Sequence, residues 1–404
     1  MSALKKQHES FASLLAFALI PISGLAMDVY LPSFPEMAIN LNTSEANIKL
    51  TLSIYLISYG ISQLFVGSLV DSFGRFKINL IAILVFSITS IGIIFAPNVY
   101  WIIAYRFIQG IAISIIVVSK RAFFIDVYTG EKRKHYTSLL TVVWATAPIL
   151  APFLGGYLQE YYGWRANFYF LAAYGLLLFL LEYVFSGETI QKKQEFSLKS
   201  ILHVYKMLLS HVDFSVGIVL LGFSYTMVMV FGMTIPFIVE HQYHLTPVTS
   251  GYCALISGVA IFMGGLLGKL LMNKPFYQKL FFANLLQLIF ALLMLLTAPL
   301  NLGLPGLLPF VFGIHLFQGL TYNVYFTYCI TKFPAYAGTS SGIASGVCYI
   351  LFSILSFGIA NMLHIRDQYT LSLSYLFCIL VIGLLIFFFK PAMLKGVALS
   401  YSNT

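Results

Sequence analysis

Gly67-Ser-Leu-Val-Asp71-Ser-Phe-Gly74-Arg75-Phe-Lys77 is the stretch whose reading decides the fold. Long apolar runs flank it on both sides, so it reads as a short loop joining two membrane-spanning helices. Gly67 and Gly74 allow backbones to turn or to approach closely. Asp71, Arg75 and Lys77 place both signs of charge at one membrane face. An ordinary charged turn would use the same residue types without fixed spacing, so the rest of the chain has to agree.

It does agree on the medium. Mean hydropathy is +0.89, with 59% hydrophobic and 9% charged residues, against about a quarter charged in soluble domains. A helix needs about 20 apolar residues to cross the hydrocarbon. Twelve such runs are expected, at 11–34, 46–70, 76–96, 98–122, 136–159, 165–186, 211–239, 247–272, 276–299, 304–331, 338–363 and 369–390. Spanning β-strands would show as short alternating segments instead. The first run is longer than a signal-peptide core and has no small-residue cleavage site, so it reads as a retained helix.

The net charge of +9 could point to nucleic acid, but its distribution points to a bilayer. With the N-terminus cytoplasmic, all but four of the 23 Lys and Arg residues fall on the cytoplasmic side. Lys49, Arg165 and Arg366 fall opposite, and Arg106 lies inside the membrane. That bias orients the protein with both termini cytoplasmic. Cys253, Cys329, Cys348 and Cys378 lie in apolar runs without a CxxC pair and read as small packing residues.

The polar exceptions inside the apolar runs are the candidates for function. The first run ends Met27-Asp28-Val-Tyr30-Leu-Pro32-Ser-Phe-Pro35. The prolines are expected to loosen or end the helix near the outer face, with Asp28 about a turn inside. A carboxylate there is costly and points to function, unless water reaches it from outside. Tyr55, Tyr59 and Gln63, four apart, share one helix face and suit either a cavity wall or hydrogen-bonded packing. Arg106 is the only basic residue expected deep in a helix. It keeps its charge and needs a carboxylate, a carbonyl or water. Pro148 and Pro152, among small residues running to Gly156, mark either a packing kink or a bend that rocks. Trp164, in Gly163-Trp-Arg165, is a natural interface anchor.

A polar stretch at 187–209 divides the chain into two halves of six helices with little visible similarity. In the second half Tyr225, Met227, Met229 and Pro236 suit a loose pocket or ordinary core. His315, the only histidine expected mid-membrane, is followed by Gln318, Tyr322 and Asn323. It reads as a proton relay or as a neutral, hydrogen-bonded side chain. There is no nucleophile motif, metal cluster or nucleotide loop, which argues against an enzyme.

Several stretches together resemble the proton-coupled drug antiporters of the bicyclomycin/chloramphenicol-resistance (Bcr/CflA) type, within the major facilitator superfamily. They are Asp28-Val-Tyr-Leu-Pro32, the Gly67–Lys77 loop, Arg106-x-x-Gln-Gly110, Arg121-Ala-x-x-x-Asp126, Ala147-Pro-x-x-Ala-Pro-x-x-Gly-Gly156, Gly163-Trp-Arg165 and Ala337-Gly-Thr-Ser-Ser341. The match covers the first half well and the second thinly. The resemblance implies an all-α integral membrane protein of 12 transmembrane helices in two six-helix bundles, in a bacterial inner membrane, working by alternating access. The bundles would be 1–186 and 210–404, joined by a cytoplasmic linker at 187–209.

On this reading Asp28 carries the coupling proton and Arg106 relays or tunes it. Burial favours the neutral acid and a nearby cation favours the anion. Tyr30, Tyr59, Gln63, Tyr225, Met229, His315 and Tyr322 are pocket candidates. Gly67, Asp71, Gly74, Arg75, Asp126, Pro148 and Pro152 form the conformational gate. Arg75 is expected to reach Asp126. Asp71 is expected beside the helix opening at Gly338–Ser341 when the inner side is closed. No cofactor beyond the proton is expected. The partners are a small amphipathic substrate and the bilayer, without nucleic acid, acting on a monomer. The alternative is a dedicated carrier of one endogenous solute, such as a siderophore or an amino acid.

Overall fold

The computed structural model describes residues 4–190, 197–333 and 336–390. Lys192, Lys193 and Lys395 lie outside the described residues. The chain divides into two compact units, 1–198 and 199–404, with the boundary inside the expected linker.

The first unit holds α1 (Glu9–Leu19), α2 (Ile22–Asp28), α3 (Phe34–Asn40), α4 (Glu45–Phe73), α5 (Arg75–Ile94), α6 (Val99–Val127), α7 (Gly130–Tyr162) and α8 (Arg165–Phe185). In the second are α9 (Leu198–Leu209), α10 (Val212–Phe237), α11 (Pro247–Leu270), α12 (Phe276–Thr297), α13 (Gly303–Thr331), α14 (Ala337–Met362) and α15 (Gln368–Phe388). Helix starts follow local chemistry. Ser44 Oγ accepts from Asn47 N at 3.2 Å to open α4. Asn98 Oδ1 accepts from Tyr100 N at 3.1 Å to open α6. Asp367 and Thr370 form a reciprocal cap at α15.

Among the described residues, eleven helices, counting α1 to α3 as one span, are long and apolar enough to cross a membrane. The expected span at 136–159 falls in α7, whose 33 residues make the twelfth at about 1.5 Å of rise per residue.

Three expectations are corrected. The Gly67–Lys77 stretch is not a loop. The α4 helix runs through Phe73 and α5 starts at Arg75, so the turn is Gly74 alone, at φ 100° and ψ 144°. That left-handed backbone suits a residue without a Cβ. Gly67 sits inside α4, and a Cβ there meets open space, so it serves neither a turn nor a close approach. Pro32 and Pro35 do not end the first span; each sits at the start of a new short helical segment, where a missing N–H costs nothing. The break comes earlier, and Asp28 is the last residue of α2. Third, the polar linker contains a helix, α9; its spaced Leu, Ile and Val side chains supply an apolar stripe.

Both units use one pairing scheme. In the first, α4 packs along α6, α5 lies against both α6 and α8, and α2 lies against α7. In the second, α11 packs along α13, α12 against α13 and α15, and α10 against α14. The helices therefore repeat in order, although the sequences show little resemblance. The tryptophans, Trp101, Trp144 and Trp164, all belong to the first unit. Cys253, Cys329, Cys348 and Cys378 all belong to the second, where they are buried and unbridged.

Candidate functional site

The interior of the first unit is organised around Arg106. This residue is fully buried on α6, and a glycine one turn later explains how. A Cβ at Gly110 would overlap Ser58 Oγ and the Tyr55 carbonyl. Without it, α4 closes onto α6 and brings its tyrosines to the guanidinium. The Arg106 Cζ lies 4.2 Å from the centre of the Tyr55 ring and 4.5 Å from that of Tyr30. Two such cation–π contacts contribute about 2 kcal/mol each when desolvated. Arg106 Nη1 donates to Gln109 Oε1 at 2.9 Å, and Gln109 Nε2 donates to Ser90 Oγ on α5 at 2.9 Å.

The tyrosines are themselves anchored. Tyr55 OH donates to the Ser23 carbonyl at 3.0 Å, and Tyr30 OH shares a hydrogen bond with Thr51 Oγ1 at 3.1 Å. Tyr59 stacks beside Tyr55 with ring centres 6.2 Å apart. Gln63, one turn on, is also buried.

Asp28 is buried two residues before Tyr30 and lies within the field of Arg106. The two do not close an ion pair. Asp28 Oδ2 and Arg106 Nε and Nη2 all lack a hydrogen-bond partner. Buried polar atoms are nearly always paired, so this acid and this base stand out together as a centre with free positions.

The expected hinge packs against this centre. The α7 helix runs through Pro148 and Pro152 without a break. Cβ atoms at Gly24 and Gly155 would strike Ala147 Cβ and the Val29 carbonyl respectively. Small residues thus let α7 lie directly on the backbone that carries Asp28.

At the α4–α5 turn the expected gate residues form a charge cluster. Arg75 Nη2 bonds Asp71 Oδ1 at 2.8 Å, and Arg75 Nη1 pairs with Asp126 of α6. Thr189 Oγ1 donates to Asp126 Oδ2 at 2.8 Å. Glu188, which sequence reasoning missed, accepts the backbone N–H groups of Arg75 and Phe76, each at 3.2 Å, and of Thr189 and Ile190, each at 3.1 Å. A carboxylate there satisfies orphan donors at the start of α5.

Three further ion pairs were missed. Lys120, read as an orienting surface charge, is buried on α6 and pairs with fully buried Glu182 of α8. Arg106 is therefore not the only buried base, and its lone status is corrected. Lys49 is buried as well, 3.3 Å from Glu45. In the second unit, Asp213 accepts from both Lys332 and Tyr328. No spacing in the sequence signals partners 62 or 119 residues away.

In the second unit His315 is fully buried on α13. Its Nδ1 shares a hydrogen bond with Ser257 Oγ on α11 at 2.7 Å, and its Nε2 with Tyr375 OH on α15 at 3.1 Å. Both ring nitrogens are thus engaged. Tyr322 and Tyr225 are half-buried, with ring centres 5.4 Å apart. Met229 is buried on α10.

The sequence profile of the Major Facilitator Superfamily matches residues 16–357. A relative from Bacillus subtilis (strain 168), described as "Uncharacterized MFS-type transporter YdgK", is 30% identical over 95% of this chain and 96% of its own length. The "Bicyclomycin resistance protein homolog" of Haemophilus influenzae is 26% identical over 89% of this chain and 91% of its own. Among solved structures, a bacterial homologue of the human lysosomal transporter Spinster, inward-facing and unoccupied, aligns with a TM-score of 0.75. It covers 97% of this chain and 99% of that one at 13% identity, a likeness of fold.

Proposed function

This chain belongs to the major facilitator superfamily, and from that premise we propose that it is a proton-coupled antiporter exporting small amphipathic molecules by alternating access. The relative named for bicyclomycin resistance supports the substrate class. The observation that carries the coupling is the unpaired acid–base centre. Asp28 and Arg106 are both buried, Asp28 lies within the field of Arg106, and both hold polar positions without a partner.

A protonated Asp28 is a neutral acid that tolerates burial. A deprotonated one needs a cation, and Arg106 is the cation at hand. Binding of a proton and binding of substrate then disfavour each other, and the coupling is reciprocal. Tyr30 and Tyr55 fix the guanidinium plane, so that a small movement of α2 changes its distance from Asp28. Tyr59 and Gln63 in the first unit, and Tyr225, Met229 and Tyr322 in the second, are the pocket candidates. The Asp71–Arg75–Asp126 cluster serves as the gate.

The one-sided placement of Lys and Arg supports a location in the bacterial inner membrane, with both termini and the 187–209 segment cytoplasmic. The protein works as a monomer, with protons as the coupling ion.

The test is transport in proteoliposomes under an imposed pH gradient, with a substrate that the wild type accumulates. Asp28→Asn keeps size and polarity but removes the titrating proton, and uphill transport collapses. Arg106→Lys loses the planar group held between the two rings and does not rescue it. Undiminished uphill transport by Asp28→Asn would refute the assignment.

A further inference from the structure

The two units carry the same short motif at the same place. Arg106-Phe-Ile-Gln109-Gly110 lies on α6, and His315-Leu-Phe-Gln318-Gly319 lies on α13. These helices occupy equivalent positions in the two pairing schemes. The glycines confirm the register. A Cβ at Gly110 would overlap the Tyr55 carbonyl on α4, and a Cβ at Gly319 would overlap the Ile261 carbonyl on α11.

The glutamines fare differently. Gln109 is used at both ends, accepting from Arg106 and donating to Ser90. In the second unit the imidazole of His315 replaces the guanidinium, and Ser257 and Tyr375 hold it. Gln318 is thereby released. Its side chain is 0% exposed, and neither its amide nitrogen nor its oxygen has a hydrogen-bond partner. Natural interiors rarely leave both ends of a buried amide unserved. Tyr322 follows four residues later on the same helix face. It is half-buried against Tyr225, which in turn meets Phe352 at 4.8 Å between ring centres. An aromatic approach therefore lies one turn from the free amide.

We propose that Gln318 is a hydrogen-bonding subsite for uncharged substrates. Its oxygen accepts from a substrate hydroxyl or amide N–H, its NH2 donates to a substrate carbonyl or hydroxyl, and Tyr322 and Tyr225 pack the apolar part. The class of ligand follows from the chemistry. A primary amide supplies one acceptor and two donors but no charge. Asp213 and Lys332, which the second unit buries as a pair, neutralise each other. This inference rests on the reading of the chain as an exporter of small amphipathic molecules, and names a class within it.

The test is equilibrium binding to the full-length protein in nanodiscs. Chloramphenicol and cycloheximide serve as neutral probes rich in hydrogen-bonding groups, and tetraphenylphosphonium as a cation without any. Gln318→Met keeps length and removes the amide. The ratio of neutral-probe to cation dissociation constants is expected to rise about tenfold, which is about 1.4 kcal/mol. Gln318→Asn, with the amide one methylene further back, falls between Met and wild type. Binding of the cation reports that each variant is folded. A ratio unchanged within about twofold, or an equal loss of all probes in both variants, overturns the proposal: the amide is then served by buried water or by the core alone. A wild type that binds neither neutral probe overturns it too, while gradient-driven movement of tetraphenylphosphonium would leave the antiport reading intact.

Discussion

Removing the positive partner of the buried Lys120–Glu182 pair should cost more than removing both. The side chains are 5% and 0% exposed. In Lys120→Met, Glu182 keeps a single donor, Asn79 Nδ2 at 3.2 Å, and its Oε2 already has none. A buried charge stranded in this way costs about 3–5 kcal/mol. Glu182→Met strands the ammonium instead, and the four-carbon stem of Lys120 relieves part of the cost by reaching toward water. The double variant Lys120→Met/Glu182→Met buries no charge. It leaves only the Asn79 amide without its acceptor, about 1–3 kcal/mol, offset by the desolvation no longer suffered. The double variant should thus be at least about 2 kcal/mol more stable than Lys120→Met alone. The assay is denaturant unfolding in detergent micelles followed by circular dichroism, run as a double-mutant cycle. Additive losses, or a cost below about 1 kcal/mol for Lys120→Met, would refute the reasoning, because the pair would then behave as a solvated surface bridge.

Gly155→Ala drives a Cβ into the Val29 carbonyl and should lower both folded yield and midpoint. Gly67→Ala meets open space inside a helix and should gain up to about 1 kcal/mol from helix propensity; similar effects in thermal unfolding would remove the close contact of α7 with the Asp28 backbone from the account. Glu188→Gln weakens the anion on the α5 N-terminus, worth about 0.3–1 kcal/mol from the dipole alone. Hydrogen exchange at Arg75 and Phe76 should quicken, more so at low salt, and unchanged exchange would show that the carboxylate does not hold the turn.

The twelve spans were legible because the bilayer demands long apolar runs, and little else in a sequence produces them. Asp28 and Arg106 stood out for the same reason, as costly exceptions inside such runs. What the sequence hid was partnership. Lys120 looked like one more orienting charge because its acid lies 62 residues on. Tyr55 was read with Tyr59 and Gln63 as a polar face, and its role as one side of the Arg106 clamp needed the position of α6. The Gly67–Lys77 stretch was mistaken for a loop because its charges suggest water, while a single left-handed Gly74 suffices for the turn. The repeat of Gln109-Gly110 as Gln318-Gly319 was visible, but Arg106 against His315 disguised it until the pairing of helices aligned the two.

The segregation of tryptophan and cysteine gives this chain two private optical channels. Indole emission arises only from residues 1–198, and a thiol-reactive dye can label only residues 199–404. All four thiols are buried, so each becomes reactive only when its surroundings open. A single denaturation run read at both wavelengths therefore times the melting of each half separately, without an engineered probe. Coincident midpoints would mean that the halves melt as one cooperative unit. An interval between them would measure how far each half stands on its own.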